Sequence, residues 1–431
     1  MSNGVDYFVK QVFFMSFHST RLPNGLTIIG EPNASARSVA IGFFVRTGSR
    51  DETLLESGVS HFLEHMMFKG TPRRTALDVN LDFDRIGADY NAGTSEENTV
   101  YYAAVLPEYL PKAVDILADI LRPSLRLEDF TTEKNVILEE IGMYDDQPEW
   151  VAWDHTRRIY YGDHPLGNSV LGTNESIKAL SRDQMQAYFD RRYAANNIVL
   201  STAGNFEWER LVGLITETCS GWNTATVDRQ NRTEWKGVGG MHVLTREKVQ
   251  QEHVMFLCGG PPADSKLRYA ADTLALAVGD DSGSRLYWGL VDPGLADSAN
   301  CSYSENDANG CVYVSYSCEP EQTEENLEVV RKIQSDVQRD SITEKELKLA
   351  KSKIASRVVR GSERPMGRMR AIAVAWSYTG EYRDVDSEMN NYDAVTLADV
   401  RAYLDQYPIN RSTAVAFGPA KSLDGVTGKT V

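Results

Sequence analysis

The chain has 431 residues, 42 % hydrophobic and 25 % charged, and carries a formal net charge of −16. These are the proportions of an ordinary globular protein, and the length fits two domains of about 200 residues each. No run of eighteen apolar residues occurs, which excludes a membrane-spanning helix, and the negative charge argues against nucleic acid or an anionic membrane as partner while remaining compatible with a cationic peptide.

The N-terminus, Met1-Ser-Asn-Gly-Val-Asp-Tyr-Phe-Val-Lys, has no basic leader, and the apolar cluster Val12–Met15 is too short for an export signal. The five cysteines, Cys219, Cys258, Cys301, Cys311 and Cys318, include no C-x-x-C pair and read as reduced thiols of a cytoplasmic protein. Along the chain, Leu26-Thr-Ile-Ile-Gly and Val39-Ala-Ile-Gly-Phe-Phe-Val are strand-like runs after the turn signal Pro23-Asn-Gly. A helix is expected over Ser57–Lys69, closed by Gly70 and Pro72. Strand pattern returns in Thr99-Val-Tyr-Tyr-Ala-Ala-Val-Leu. An amphipathic helix follows over Pro107–Leu121, with further helices over Leu127–Asp145 and Ser176–Arg191.

Residues 220–240 are polar and Gly-rich, with little periodicity, and divide the chain into domains 1–225 and 241–431. The second half repeats the order of the first: a strand near Glu252–Leu257, a Gly259-Gly-Pro-Pro loop and a helix over Leu267–Val278. Strands around Ala299–Tyr316 and helices around Glu324–Arg339 and Thr343–Arg360 complete it. The repeat implies duplication of one α+β unit, each copy a mostly antiparallel sheet with helices on one face.

The chemistry concentrates in Ser60-His-Phe-Leu-Glu-His-Met, an H-x-x-E-H pattern of His61, Glu64 and His65. On a helix these positions fall within an arc of about 100°, so all three side chains share one side. Two imidazoles one turn apart supply two zinc ligands on a rigid support, and the carboxylate between them can take the proton of a water that the metal acidifies. A third ligand is needed. The helix at 127–145 offers Glu133, Glu139 and Glu140. Glu133 and Glu140 are seven apart and share a face, whereas Glu139 is rotated about 100° from Glu140. One carboxylate of that face can bind the metal while the other stands behind a ligand.

These residues resemble the insulinase (pitrilysin) family of zinc metallopeptidases, whose inverted motif is followed by a Glu about 75 residues on and another seven residues before it. Here 74 residues separate His65 from Glu140. The resemblance makes His61, His65 and Glu140 the ligands of Zn²⁺, Glu64 the catalytic base and Glu133 a carboxylate supporting a ligand. Asn91-Ala-Gly-Thr-Ser-Glu-Glu-Asn-Thr-Val-Tyr-Tyr resembles the family's edge strand, to which substrate backbone adds; this implies substrate binding at Asn91, Ala92, Gly93 and Thr94. His164-Pro-Leu-Gly-Asn-Ser-Val-Leu-Gly-Thr and Gln250-Gln-Glu-His-Val resemble later landmarks.

The size resembles the half-length subgroup, which includes subunits of mitochondrial and bacterial processing peptidases. The implied assembly is a dimer closing like a clamshell over peptides or unfolded segments. The second half, with only His242 and His253, holds no second metal motif. It also departs from the family. Active members carry an Arg and a Tyr seven apart that hold the substrate carbonyl, but the matching run Ser284-Arg-Leu-Tyr-Trp-Gly-Leu-Val-Asp-Pro-Gly-Leu-Ala-Asp has Leu290 or Val291 and Asp297 there, with Arg285 and Tyr287 too early. A homologous zinc-less subunit supplying the pair is the expected remedy. The alternatives are a catalytically silent scaffold subunit, as in respiratory-complex core proteins resembling this family, or a zinc enzyme acting on something other than peptides.

Overall fold

The computed structural model describes residues 16–229 and 232–431. The N-terminal stretch read above for an export signal, residues 1–15, lies outside them.

The first half runs β1 (His18–Arg21), β2 (Thr27–Pro32), β3 (Val39–Val45), α1 (Val59–Met67), α2 (Ala76–Arg85), β4 (Asp89–Thr94), β5 (Thr99–Val105), α3 (Leu110–Ile120), α4 (Leu127–Asp145), α5 (Pro148–Tyr161), α6 (Asn174–Ala179), α7 (Arg182–Arg192), β6 (Ile198–Gly204) and α8 (Trp208–Cys219). The second runs β7 (Gly240–Thr245), β8 (Glu252–Gly260), α9 (Arg268–Gly279), β9 (Ser298–Asn306), β10 (Asn309–Cys318), α10 (Thr323–Asp340), α11 (Glu344–Ser362), α12 (Pro365–Thr379), α13 (Val385–Asp393), α14 (Leu397–Gln406), β11 (Thr413–Gly418), the short pair β12 (Ser422–Leu423) and β13 (Val426–Thr427), and β14 (Lys429–Thr430).

Each half forms a six-stranded sheet, in the orders β1-β2-β6-β3-β5-β4 and β14-β7-β11-β8-β10-β9. Both are antiparallel except at β2–β6 in the first, and at β7–β11 and β7–β14 in the second. The matching orders carry the duplication into the topology. The outer strands differ in origin: β1 precedes its sheet in sequence, whereas β14 is the last strand of the chain. Two-domain α+β architecture, with mostly antiparallel sheets flanked by helices, is therefore the fold.

The helices occupy both faces of each sheet rather than one. All seven residues of β3 are buried, and its side chains alternate between two cores. Ile41, Phe43 and Val45 join the large core with α1, α3 and α8, while Ala40 and Phe44 meet Met369, Ile372 and Ala373 of α12. The reciprocal contact comes from α5, whose Val151 and Ala152 pack on Leu244, Met255, Val415 and Phe417 of the second sheet. Each half thus lends one helix to the other's outer face.

The helix expected over Ser176–Arg191 is two, α6 and α7. Ser181 interrupts it as an N-cap, accepting from the Gln184 amide while the Gln184 side chain returns to the Ser181 backbone. Between α8 and β7 the described residues form no helix or strand, yet the segment is pinned: Arg229 to Asp51, Arg232 to Asp307, and the Trp235 indole N–H to the Tyr160 carbonyl.

Candidate metal centre

Helix α1 is preceded by its N-cap Gly58, whose φ of +88° suits glycine. A Cβ there would stand 2.6 Å from the Leu171 carbonyl, and one on Gly172 would stand 2.6 Å from the Ser57 carbonyl. The two glycines let the loop before α6 close on the helix start. The first amides of α1 are satisfied from a distance by Glu52, which accepts from Gly58 N at 2.7 Å and Ser60 N at 2.8 Å. Burial pushes this carboxyl up to about 7, against those bonds. Phe62, Leu63, Met66 and Met67 anchor the opposite side of the helix in the core, so His61, Glu64 and His65 are carried on a fixed support.

Antiparallel to this face stands α4, held by buried Phe130, Ile137 and Ile141. Phe130 stacks on Phe62 with ring centroids 4.8 Å apart. This packing places Glu140 against both imidazoles: its Oε1 is 3.8 Å from His61 Nε2 and its Oε2 3.5 Å from His65 Nε2. Glu139 faces away and is exposed, as is its neighbour Val136, whereas Ile137 is buried.

One turn-pair earlier, Glu133 is buried and meets His65 Nδ1 at 2.9 Å and Lys69 Nζ at 2.6 Å. A carboxylate at Nδ1 takes that nitrogen's hydrogen, so the neutral ring carries its lone pair on Nε2, the atom nearest Glu140. Glu64 accepts a hydrogen bond from the Thr94 hydroxyl at 2.6 Å. The structure thus gathers His61, Glu64, His65, Glu133, Glu140 and Thr94 into one site. Asn91, Ala92 and Gly93 lie on β4, the edge of the first sheet and the strand alongside.

The electrostatics separate these groups. Burial, with His65 nearby, pushes His61 down to about 3, so its ring is neutral. Burial also lowers His65, but the Glu133 bond and the charges of Glu140 and Glu64 outweigh it and raise it above the ordinary imidazole value. Glu133 is lowered by its bonds to His65 and Lys69 in spite of burial. Burial raises Glu64, opposed by Thr94, which shifts that carboxyl toward the range of a general base.

The donor set fits a small divalent cation. Ligand atoms of His61, His65 and Glu140 lie within 4.8 Å of one another, and tetrahedral donors at about 2.1 Å from a common centre stand roughly 3.4 Å apart. Glu140 Oε2 is buried without a hydrogen-bond partner, an unmet demand that a cation would answer. Among the described residues this is the one such cluster. Sequence reasoning missed Glu52, Lys69 and the Thr94–Glu64 bond. Only Lys69 left a trace, four residues beyond His65 in the turn that follows α1.

Residues 27–174 match the model for the insulinase family (peptidase family M16), and 179–354 match that for the peptidase M16 inactive domain. An uncharacterized zinc protease of Mycobacterium leprae is 33 % identical over 410 residues, covering 94 % of this chain and 92 % of that protein. The chain belongs to the insulinase family. Solved structures agree in fold. A protease from Helicobacter pylori superposes with a TM-score of 0.87 at 20 % identity, covering 94 % of this chain and all (100 %) of that one. Complex III2 from Candida albicans superposes at 0.81 and 17 % identity, covering 93 % and 96 %. The relatives' names, and the His-His-Glu cluster here, make this a member of a family of zinc proteases.

Proposed function

We propose that this insulinase-family chain is a zinc-dependent endopeptidase that cleaves peptides or unfolded segments. His61, His65 and Glu140 hold the metal, Glu133 orients His65, and Glu64 is the general base. Zinc, when bound, acidifies water and polarises a carbonyl. Glu64 takes the proton from the attacking water and passes it to the departing amine, while the Thr94 hydroxyl holds the carboxylate in place. The outer edge of β4 at Asn91, Ala92, Gly93 and Thr94, unpaired among the described residues, accepts substrate backbone as an added strand, which selects extended chains over folded ones.

The observation that carries this reading is the division of labour at His65, with Nδ1 on buried Glu133 and Nε2 toward Glu140. A silent scaffold has no use for a charge-assisted bond from a buried carboxylate that fixes one tautomer of a partly exposed imidazole. Zinc-loaded protein should hydrolyse unstructured peptides, and a chelator should abolish this reversibly. Zinc at one equivalent with no hydrolysis of any unstructured peptide, in the presence of a homologous partner chain, would sink the reading.

The assembly we propose is a dimer with a homologous zinc-less chain. Leu290 is buried and Asp297 accepts from Gln251 at 2.6 Å, so neither can hold a substrate carbonyl. Arg285 is committed to Glu346 through bonds of 2.6 and 2.9 Å and to the Ser341 carbonyl. The partner supplies the missing donors.

A further inference from the structure

The turn joining β4 to β5, residues 95–98, carries Glu97, whose side chain is 1 % exposed. A carboxylate buried this deeply must be answered on every side, and here the answers come from four separate stretches of chain. Arg50, just beyond β3, forms an ion pair with it. Arg229, from the segment between the halves, reaches its Oε1 at 3.4 Å and its backbone carbonyl at 2.7 Å. From the end of β9 and the turn after it, the Asp307 amide donates to both oxygens at 3.2 and 3.1 Å, and Asn306 Nδ2 donates at 3.0 Å. From α12, the Tyr378 hydroxyl donates at 2.8 Å. Three of these donors belong to the second half of the chain.

The same turn ends the strand that touches the general base. Thr94 is the last residue of β4, paired across the hairpin with Thr99, and the turn is closed by Ser95 N on the Asn98 carbonyl at 2.9 Å. The backbone is clamped from the other side too: Arg50 N bonds to the Glu96 carbonyl at 2.8 Å, and a Cβ on Gly48 would lie 2.1 Å from the Ser95 carbonyl. A four-residue turn held this tightly has little freedom to relax without moving Thr94. Moving Thr94 moves the hydroxyl that fixes Glu64.

We infer that Glu97 is a positioning residue for the peptidase centre, through which the seating of the second half on the first is read out at Glu64. The inference rests on the role proposed above for Glu64. Substrate and metal are not touched by Glu97. It acts through the turn and Thr94. The second half, which has no metal cluster among its described residues, thereby contributes to catalysis from within the same chain.

A double-mutant cycle decides this, read with the partner chain present and at equal zinc content. Glu97→Gln and Thr94→Val should each lower kcat by roughly 10–100-fold, as misplacement of a catalytic group by about 1 Å does. The double variant should fall no further than the worse single one, because both changes release the same hydroxyl. Thr94→Ser, which keeps the hydroxyl, should recover most of the rate. Multiplicative losses would mean independent action and overturn the inference. Where Glu97→Gln does not fold, the uncharged pair Tyr378→Phe with Asn306→Ala takes its place in the cycle. Hydrogen exchange gives a readout independent of turnover: in that pair, amides of residues 94–98 should exchange at least roughly tenfold faster than in the wild type. Unchanged exchange there overturns the coupling whether or not the protein hydrolyses peptides. An inactive wild type with the exchange effect present would instead count against the peptidase reading.

Discussion

At His65 both ring nitrogens are committed, one to Glu133 and one toward Glu140, and the neighbouring His61 is kept neutral by burial. Ligand identity therefore depends on single carboxylates, which substitution can separate. Glu140→Gln should lose zinc, because an amide is a far weaker ligand, whereas Glu139→Gln should retain about one zinc per chain. Metal analysis of the two variants checks this, and equal retention would refute the assignment. Glu133→Gln should be milder, lowering metal affinity or rate by about 10–100-fold, since it removes the charge behind His65 and leaves the ligands themselves in place. At this scale the sequence was informative where chemistry has a fixed spacing. The one-turn offset of His61 and His65 and the seven-residue offset of Glu133 and Glu140 are helix geometry, and the structure exposes Glu139 on the far side as that geometry requires. Glu52 was not legible, because it caps α1 from six residues before Gly58 and across a turn rather than from the capping position.

Elements with their own punctuation were read well. The span expected for α4, Leu127–Asp145, is the one observed, whereas α1, expected over Ser57–Lys69, is two residues shorter at each end, Val59–Met67. The break between α6 and α7 was overlooked, although Ser181 and Gln184 form a capping box there. Helices α5 and α12 were not anticipated. Their apolar faces answer sheets in the opposite half of the chain, and no local pattern announces a partner that distant. Arg285 belongs to this scale as well. Although burial raises Glu346, its bonds from Arg285 and from the Thr343 cap bring it down to about 2, from 4.5. A carboxylate held below its unfolded value stabilises the fold above about pH 4.5 and loses that contribution as pH falls through about 2. Glu346→Gln should therefore cost roughly 1 kcal/mol at pH 7, since solvent screens this partly exposed pair, and the difference from wild type should shrink by more than half at about pH 3. Chemical denaturation at the two pH values measures it; a difference independent of pH would show that the bond between Arg285 and Glu346 contributes nothing through its charge.

The exchange of helices between halves, together with the Glu97 junction, ties the two halves together around a single candidate metal centre among the described residues. What it does not present is a cation or phenol at Leu290, Val291 or Asp297. Donors of that kind are worth roughly 10²–10³ in rate. The chain alone should accordingly be slow, and a homologous chain carrying the Arg/Tyr pair should raise its peptidase activity by at least about 10²-fold at saturation. Full activity from the chain alone, lost on Arg285→Ala or Tyr287→Phe, would contradict the hetero-oligomer. The central claim is narrower: Glu64, between two metal-ligating histidines, is the base that activates water. Glu64→Gln keeps size and hydrogen bonding while removing the proton acceptor. Assayed on an unstructured peptide with the partner present and zinc content matched, the account predicts loss of hydrolysis by about 10²–10⁴-fold with the metal retained; wild-type turnover in that variant would contradict it.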